Sequence, residues 1–246
     1  MFILLQWINL AVHRHACLNK SFMIAARRAV KNSDLLYKLP CPDPCLHAKK
    51  RYTVNTLSFS KRVSMARIYM VRHGRAAAGF SEDADPGLDE TGHQQAIEAA
   101  QQLNSVLPVA IVSSPLKRAL ETAKPLEDIC GIAAVIENRV AEVPSTGLSL
   151  SERGPWLQKV MQGYWSEQST ELRSWQDNMV NCLLDLPSDT AIFSHFIAIN
   201  ALVAVALGKD QISVCRPDNG SITIFDNSRQ KLDLIKLGSA AETKVN

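Results

Sequence analysis

From Arg67 onward the chain alternates short apolar runs with longer stretches whose apolar residues recur every three to four positions. Short runs of that kind are buried strands and the longer stretches are helices with one buried face, so the alternation predicts a largely parallel sheet covered by helices. The expected strands are "RIYMVR" (67–72), "VAIVSS" (109–114), "AAVIEN" (133–138) and "TAIFSH" (190–195), followed by a terminal pair, "SITIFD" (221–226) and "KLDLIKL" (231–237), around "NSRQ". A helix rich in Ala, Gln and Leu is expected from near Asp89 until Pro108 stops it. A second begins at "SSPLKR", where Ser114 can cap and Pro115 suits the first helical position, and Gly131 ends it. Two more occupy 151–186 with a break near "SEQS"; the last, "FIAINALVAVALG", is apolar all round, hence buried, and stops at Gly208. The expected fold is α/β: a three-layer α/β/α sandwich with a largely parallel, Rossmann-like sheet.

Residues 1–64 lack this alternation. "MFILLQWINLAV" is apolar but is interrupted by Gln6, Trp7 and Asn9, has no basic residues ahead of it, and is too short to span a bilayer. The stretch 1–64 holds 11 Lys and Arg against two acids, Asp34 and Asp43, whereas the remainder holds 16 against 22, so the net charge of +3 conceals two kinds of segment. We expect a basic leader over 1–64, disordered or an extension outside the native product, with Met65 as the natural start of a domain covering 65–246. An organelle-targeting peptide, or a basic arm touching nucleic acid or anionic lipid, are the alternatives. Cys41, Cys45 and His47 are too loosely spaced for a metal site and lack a fourth ligand.

Hydrophobic content of 46% and charged content of 21% suit a soluble cytoplasmic protein and are too polar for a multi-span membrane protein. The six cysteines have no regular spacing and are read as reduced thiols. No nucleic-acid or membrane partner, no cofactor and no metal are expected for the domain, and its oligomeric state is not legible.

Chemistry enters at the strand exits. In an open parallel sheet the residues just past the carboxyl ends of the strands converge on the ligand crevice. "RIYMVRH" delivers Arg72 and His73 there, "TAIFSH" delivers His195, and Arg118 sits in the first turn of the helix after "VAIVSS", beside free backbone N–H groups. Two arginines, two histidines and a helix N-terminus form a dianion site, and phosphate suits the arginine fork best. A neutral imidazole can attack phosphorus without a metal.

"RHG" after the first strand, "SSPLKRALETA" after the second, an acid in "NRVAEVPS" and "FSH" after a late strand resemble the histidine phosphatase (phosphoglycerate mutase-like) superfamily, over about residues 66–238. The resemblance implies that His73 accepts the phosphoryl group, that Arg72, Arg118 and His195 grip its oxygens, and that Glu142 protonates the leaving group, with Glu137 as the rival acid. Gly74 is expected to let the backbone turn sharply beside the nucleophile. His93 is expected in solvent.

"RHGRAAAGFSEDADPGLDETG" departs from the mutase-type pattern, which carries an acid or amide and then Ser or Thr after "RHG". Phe196 stands where many members have Gly, and Arg75 is either a third cation at the phosphate or turned outward. The implied activity is metal-independent hydrolysis of a phosphomonoester, on a phosphorylated small molecule or phosphoprotein, through a phosphohistidine on His73. Mutase-type phosphoryl transfer and a phosphate-recognition module with little turnover are the alternatives.

Overall fold

The structure, a computed structural model, describes residues 66–241 apart from 107 and 109. The expectations for 1–64 and for Met65 lie outside the described residues. Strands β1 (Arg67–Arg72), β2 (Ala110–Ser113), β3 (Val135–Ile136), β4 (Thr190–Ser194), β5 (Ile222–Asp226) and β6 (Asp233–Lys236) form one sheet in the order β3-β2-β4-β1-β5-β6. The β3-β2-β4-β1 half is parallel, and β5 and β6 extend it as an antiparallel pair.

The helices are α1 (Glu90–Asn104), α2 (Lys117–Cys130), α3 (Leu150–Met161), α4 (Thr170–Leu184) and α5 (Phe196–Leu207). Alternation along the strands assigns each face its helices. Ile68 and Met70 of β1 and Ile192 of β4 pack in one core with α4 and α5, through Met179, Leu183, Ile199 and Leu202. Tyr69 and Val71 of β1 and Phe193 of β4 point the other way, into a core with Leu103 of α1 and Ala119, Ala123 and Leu126 of α2. A period-2 strand buried on both faces and sandwiched by helices is the expected three-layer arrangement.

Two expectations need correction. β3 is a two-residue strand rather than 133–138, because Glu137 turns the chain into a 3₁₀ segment, Asn138–Val140, by accepting from the Arg139 N–H at 3.0 Å. α2 starts at Lys117, not Pro115, with Leu116 as its N-cap. Ser114 does not cap it: its hydroxyl accepts from Leu116 N–H at 3.2 Å and pairs with His195 Nε2 at 2.7 Å.

Candidate active site

β1 and β4 are parallel neighbours in register, Arg72 opposite Ser194, so the next residues, His73 and His195, leave the sheet side by side. Their rings lie 5.1 Å apart, centroid to centroid. Arg118 joins them from the second position of α2, and Arg72 from the end of β1. Arg72, His73, Arg118 and His195 are all buried, at 8%, 8%, 5% and 0% exposure, which is exceptional for such residues unless they are paired or functional.

Hydrogen bonds fix the tautomer of His73. Gly74 O can only accept, so the 2.7 Å contact from Nδ1 places the ring proton there, and Nε2 is left with its lone pair and the Arg118 Nε–H at 3.2 Å. Burial, and then the positive charges of Arg118 and Arg72, hold the His73 pKa well below its ordinary value. His195 is likewise held neutral, chiefly by burial. Its Nδ1 has no partner among the described protein atoms.

Arg72 donates from Nη1 to Pro217 O at 2.8 Å and lies with Cζ 5.1 Å over the Phe196 ring, while its buried Nε has no partner. Burial lowers its pKa to about 10, which still leaves it charged at neutral pH. Phe196 is therefore both the first residue of a buried helix and a floor for the guanidinium.

Glu142 lines the same cavity as Arg72, His73 and Arg118. One carboxylate oxygen accepts from Val143 N–H at 2.9 Å, and the other from Ile197 N–H at 3.4 Å, at the start of α5. Burial raises its pKa even though Val143 N–H and Arg118 pull the other way. Glu137, the rival, is bound to Arg139 through both oxygens, at 3.0 and 2.6 Å, and that pairing holds it below the usual carboxylate range. The Glu142 segment is tied to β4 by Ser194 Oγ donating to Val140 O at 2.7 Å.

Two further corrections follow. Gly74 is not a sharp-turn glycine; its φ is not positive. A Cβ there would meet Gly92 Cα at 2.9 Å, and a Cβ on Gly92 would meet Arg75 N at 2.9 Å, so the two glycines allow α1 to pack directly on the strand exit. The N-terminus of α2 is not free for an anion, because Asp85 Oδ1 accepts from Lys117 N–H at 2.9 Å and lies 3.8 Å from Arg118 Nη1. Arg75 turns outward, with Nε on Asp89 at 2.5 Å and Nη2 on Thr91 Oγ1 at 2.9 Å. His93 is exposed, as expected.

Several supports of the site carry no local signal along the chain. Thr122 Oγ1 accepts from Gly74 N–H at 3.0 Å and donates to Arg118 O at 2.6 Å, linking the loop after His73 to α2. Asn219 Nδ2 holds His73 O at 2.9 Å. The "SSP" and "ETA" segments carry Ser114 and Thr122, but nothing local marks their distant partners. Among the described residues no group of three or more His, Cys, Asp or Glu side chains is placed to hold a metal ion, and no helix is long and apolar enough to cross a membrane.

Comparison with known proteins agrees with this geometry. Residues 68–239 match the family model for the histidine phosphatase superfamily (branch 1). A protein of Photorhabdus laumondii named "Probable phosphoglycerate mutase GpmB" is 30% identical over 165 residues, covering 58% of this chain and 76% of its own length. Among solved structures, "Mycobacterial hydrolase 1" superposes with a TM-score of 0.58 at 23% identity, over 72% of this chain and 100% of that one. A phosphoserine phosphatase mutant of Entamoeba histolytica in complex with phosphoserine gives 0.55 at 22%, over 71% and 98%. At these identities the two structures share the fold with this chain.

Proposed function

The chain belongs to the histidine phosphatase superfamily, branch 1, and from that premise we propose that it hydrolyses phosphomonoesters, without a metal, through a phosphohistidine on His73. The observation that carries the reading is the His73 ring: Nδ1 is committed to Gly74 O at 2.7 Å, and Nε2 presents a lone pair beside the Arg118 guanidinium at 3.2 Å.

The reaction balances with the groups present. His73 Nε2 donates its lone pair to phosphorus as the bond to the leaving oxygen breaks, and that oxygen takes its proton from Glu142, releasing the alcohol. Water then attacks the phosphohistidine, Glu142 takes a proton from it, and inorganic phosphate leaves with His73 restored. Arg72 Nε and His195 Nδ1, two buried atoms without partners among the described protein atoms, serve the phosphoryl oxygens. Ser114 Oγ, 2.7 Å from His195 Nε2, can donate to it, and in that tautomer the ring proton sits on Nδ1 and can be given to an oxygen. Much of the rate then comes from fixed charge and position, as the loose transition state of phosphoryl transfer requires.

Glu142 separates this reading from a phosphate-recognition module, which would not need a carboxyl of raised pKa on the cavity wall. A second reading, phosphoryl transfer back to the substrate skeleton, is favoured by the relative named a phosphoglycerate mutase. Incubation with an aryl phosphate in excess EDTA tests the proposal. Stoichiometric inorganic phosphate is the expected result; activity that needs an added divalent metal would overturn it, and return of the phosphoryl group to an organic acceptor would favour the second reading. The groups named here all lie between Arg72 and His195, so a chain starting at Met65 is expected to turn over like the full one, and loss of activity in it would make the leader part of the working protein.

A further inference from the structure

Two cavities open beside His73. The larger, about 480 Å³, has Arg75, Glu82, Asp89 and Asn219 on its walls. The smaller, about 70 Å³, carries Arg72, His73, Arg118 and Glu142 at its inner end. Proton delivery decides which of them receives the leaving group. The oxygen departing from phosphorus must lie within hydrogen-bond reach of the acid, and Glu142 lines the smaller cavity but not the larger.

Beyond its inner end that cavity is walled by Ala76, Ala78, Phe80, Leu157, Met161 and Phe196. Asp83 is the one charged residue on this outer part of the wall, and its charge is negative. Two further cations, Arg75 and Arg153, lie near the cavity without lining it. Arg75 is paired with Asp89 and Thr91. Arg153 of α3 stacks with Cζ 4.1 Å over the Phe80 ring and donates to Ser145 Oγ at 3.0 Å and Ala84 O at 3.4 Å. These contacts of Arg153 tie α3 to the loop that roofs the cavity. At about 70 Å³ against about 480 Å³, the cavity is far smaller than its neighbour, which favours a compact leaving group.

We propose that the substrate is the phosphomonoester of a compact, uncharged, weakly polar alcohol, and that esters carrying a carboxylate or second phosphate on the leaving group, phosphoglycerate among them, are poor substrates. The proposal rests on the hydrolase reading above and deepens it. A carboxylate on the leaving group would exchange its hydration for the alkyl and aromatic part of this wall and meet Asp83, and among the described residues no cation lines that part of the cavity. A hydroxyl alone is penalised far less, since apolar pockets discriminate weakly against it.

Three esters with three-carbon leaving groups make the test: propyl phosphate, glycerol 3-phosphate and 3-phosphoglycerate. Their alkoxide leaving groups need similar help from Glu142, so differences in kcat/KM report the cavity wall. The expected order is propyl phosphate, then glycerol 3-phosphate within about a hundredfold, then 3-phosphoglycerate at least about a hundredfold below the first. Met161→Lys is expected to raise 3-phosphoglycerate relative to propyl phosphate by about tenfold, and Asp83→Asn, on the exposed loop, by several-fold. Equal or better hydrolysis of 3-phosphoglycerate by the wild type would overturn the inference while leaving the hydrolase reading intact. If no ester is hydrolysed, the hydrolase reading fails, and calorimetric binding of propylphosphonate against 3-phosphoglycerate still decides the pocket: tighter propylphosphonate supports the inference, and tighter 3-phosphoglycerate overturns it.

Discussion

At the end of the site proposed to hold the phosphoryl group, Arg72, His73 and His195 stand at the exits of parallel strands and Arg118 one step into the helix after β2. The leaving-group end is closed instead by two long connections, 73–89 and 137–161, of which the first is largely exposed between Ser81 and Asp85. The first region is anchored by the ladder itself, with His73 N–H on Ser194 O at 2.9 Å and Arg72 N–H on Ser221 O at 3.1 Å. The second is held by single side-chain links such as Arg153 on Phe80 and Asp85 on Lys117 N–H. A fold that keeps its charge-handling groups on the rigid sheet can vary the substrate through the loops without disturbing the phosphorus chemistry.

The largest expected effect sharpens that division. Glu142→Gln should cost about 10²- to 10⁴-fold in kcat on an alkyl phosphate and far less on nitrophenyl phosphate, whose leaving group departs without a proton. Equal losses on both would remove Glu142 from the role of acid. At the other end, Arg118→Ala and His195→Ala should each cost about 10²- to 10³-fold on both substrates alike, because they act on oxygens common to every ester. A loss confined to one substrate would break the comparison.

Stability probes the same contrast. Gly74→Ala is expected to destabilise by about 1–3 kcal/mol, since its Cβ would press on the Gly92 backbone at the start of α1, and denaturant midpoints would show it. An unchanged midpoint would mean that α1 can move away from the strand exit. The two histidines also make stability depend on pH. Burial and the neighbouring arginines hold both pKa values well below 6.5 in the folded chain. The unfolded chain takes up protons first as pH falls past 6.5, so stability is intact above that pH and is lost below it, at up to about 1.4 kcal/mol per pH unit for each histidine. The fall in midpoint between pH 6.5 and 5.5 should be shallower in His195→Asn; equal slopes would contradict the assignment of neutral rings.

The sheet, its layers and four of the five candidate site residues could be read from the chain because their signals are local. An apolar run ending in Arg-His or Ser-His names its own strand exit. Glu142 was harder: Glu137 stands five residues earlier, and only the fold shows that Arg139 claims one acid while the start of α5 holds the other. Ser114 reads as a helix cap and Thr122 carries no signal of its own, because their partners lie 81 and 48 residues away. Gly74 was legible as a glycine but not for its reason, which is a helix backbone arriving from Gly92. Asp85 illustrates the same limit, since an acid in a polar loop carries no sign that it will cap α2.

The central claim is that His73 carries the phosphoryl group, and rapid acid-free quenching during turnover of a ³²P-labelled ester tests it most directly. A phosphoenzyme stable to base and labile to acid is expected in the wild type, and none in His73→Ala, which should also lose turnover on every substrate. A labelled phosphoenzyme of the same stability persisting in His73→Ala would contradict the assignment of the nucleophile.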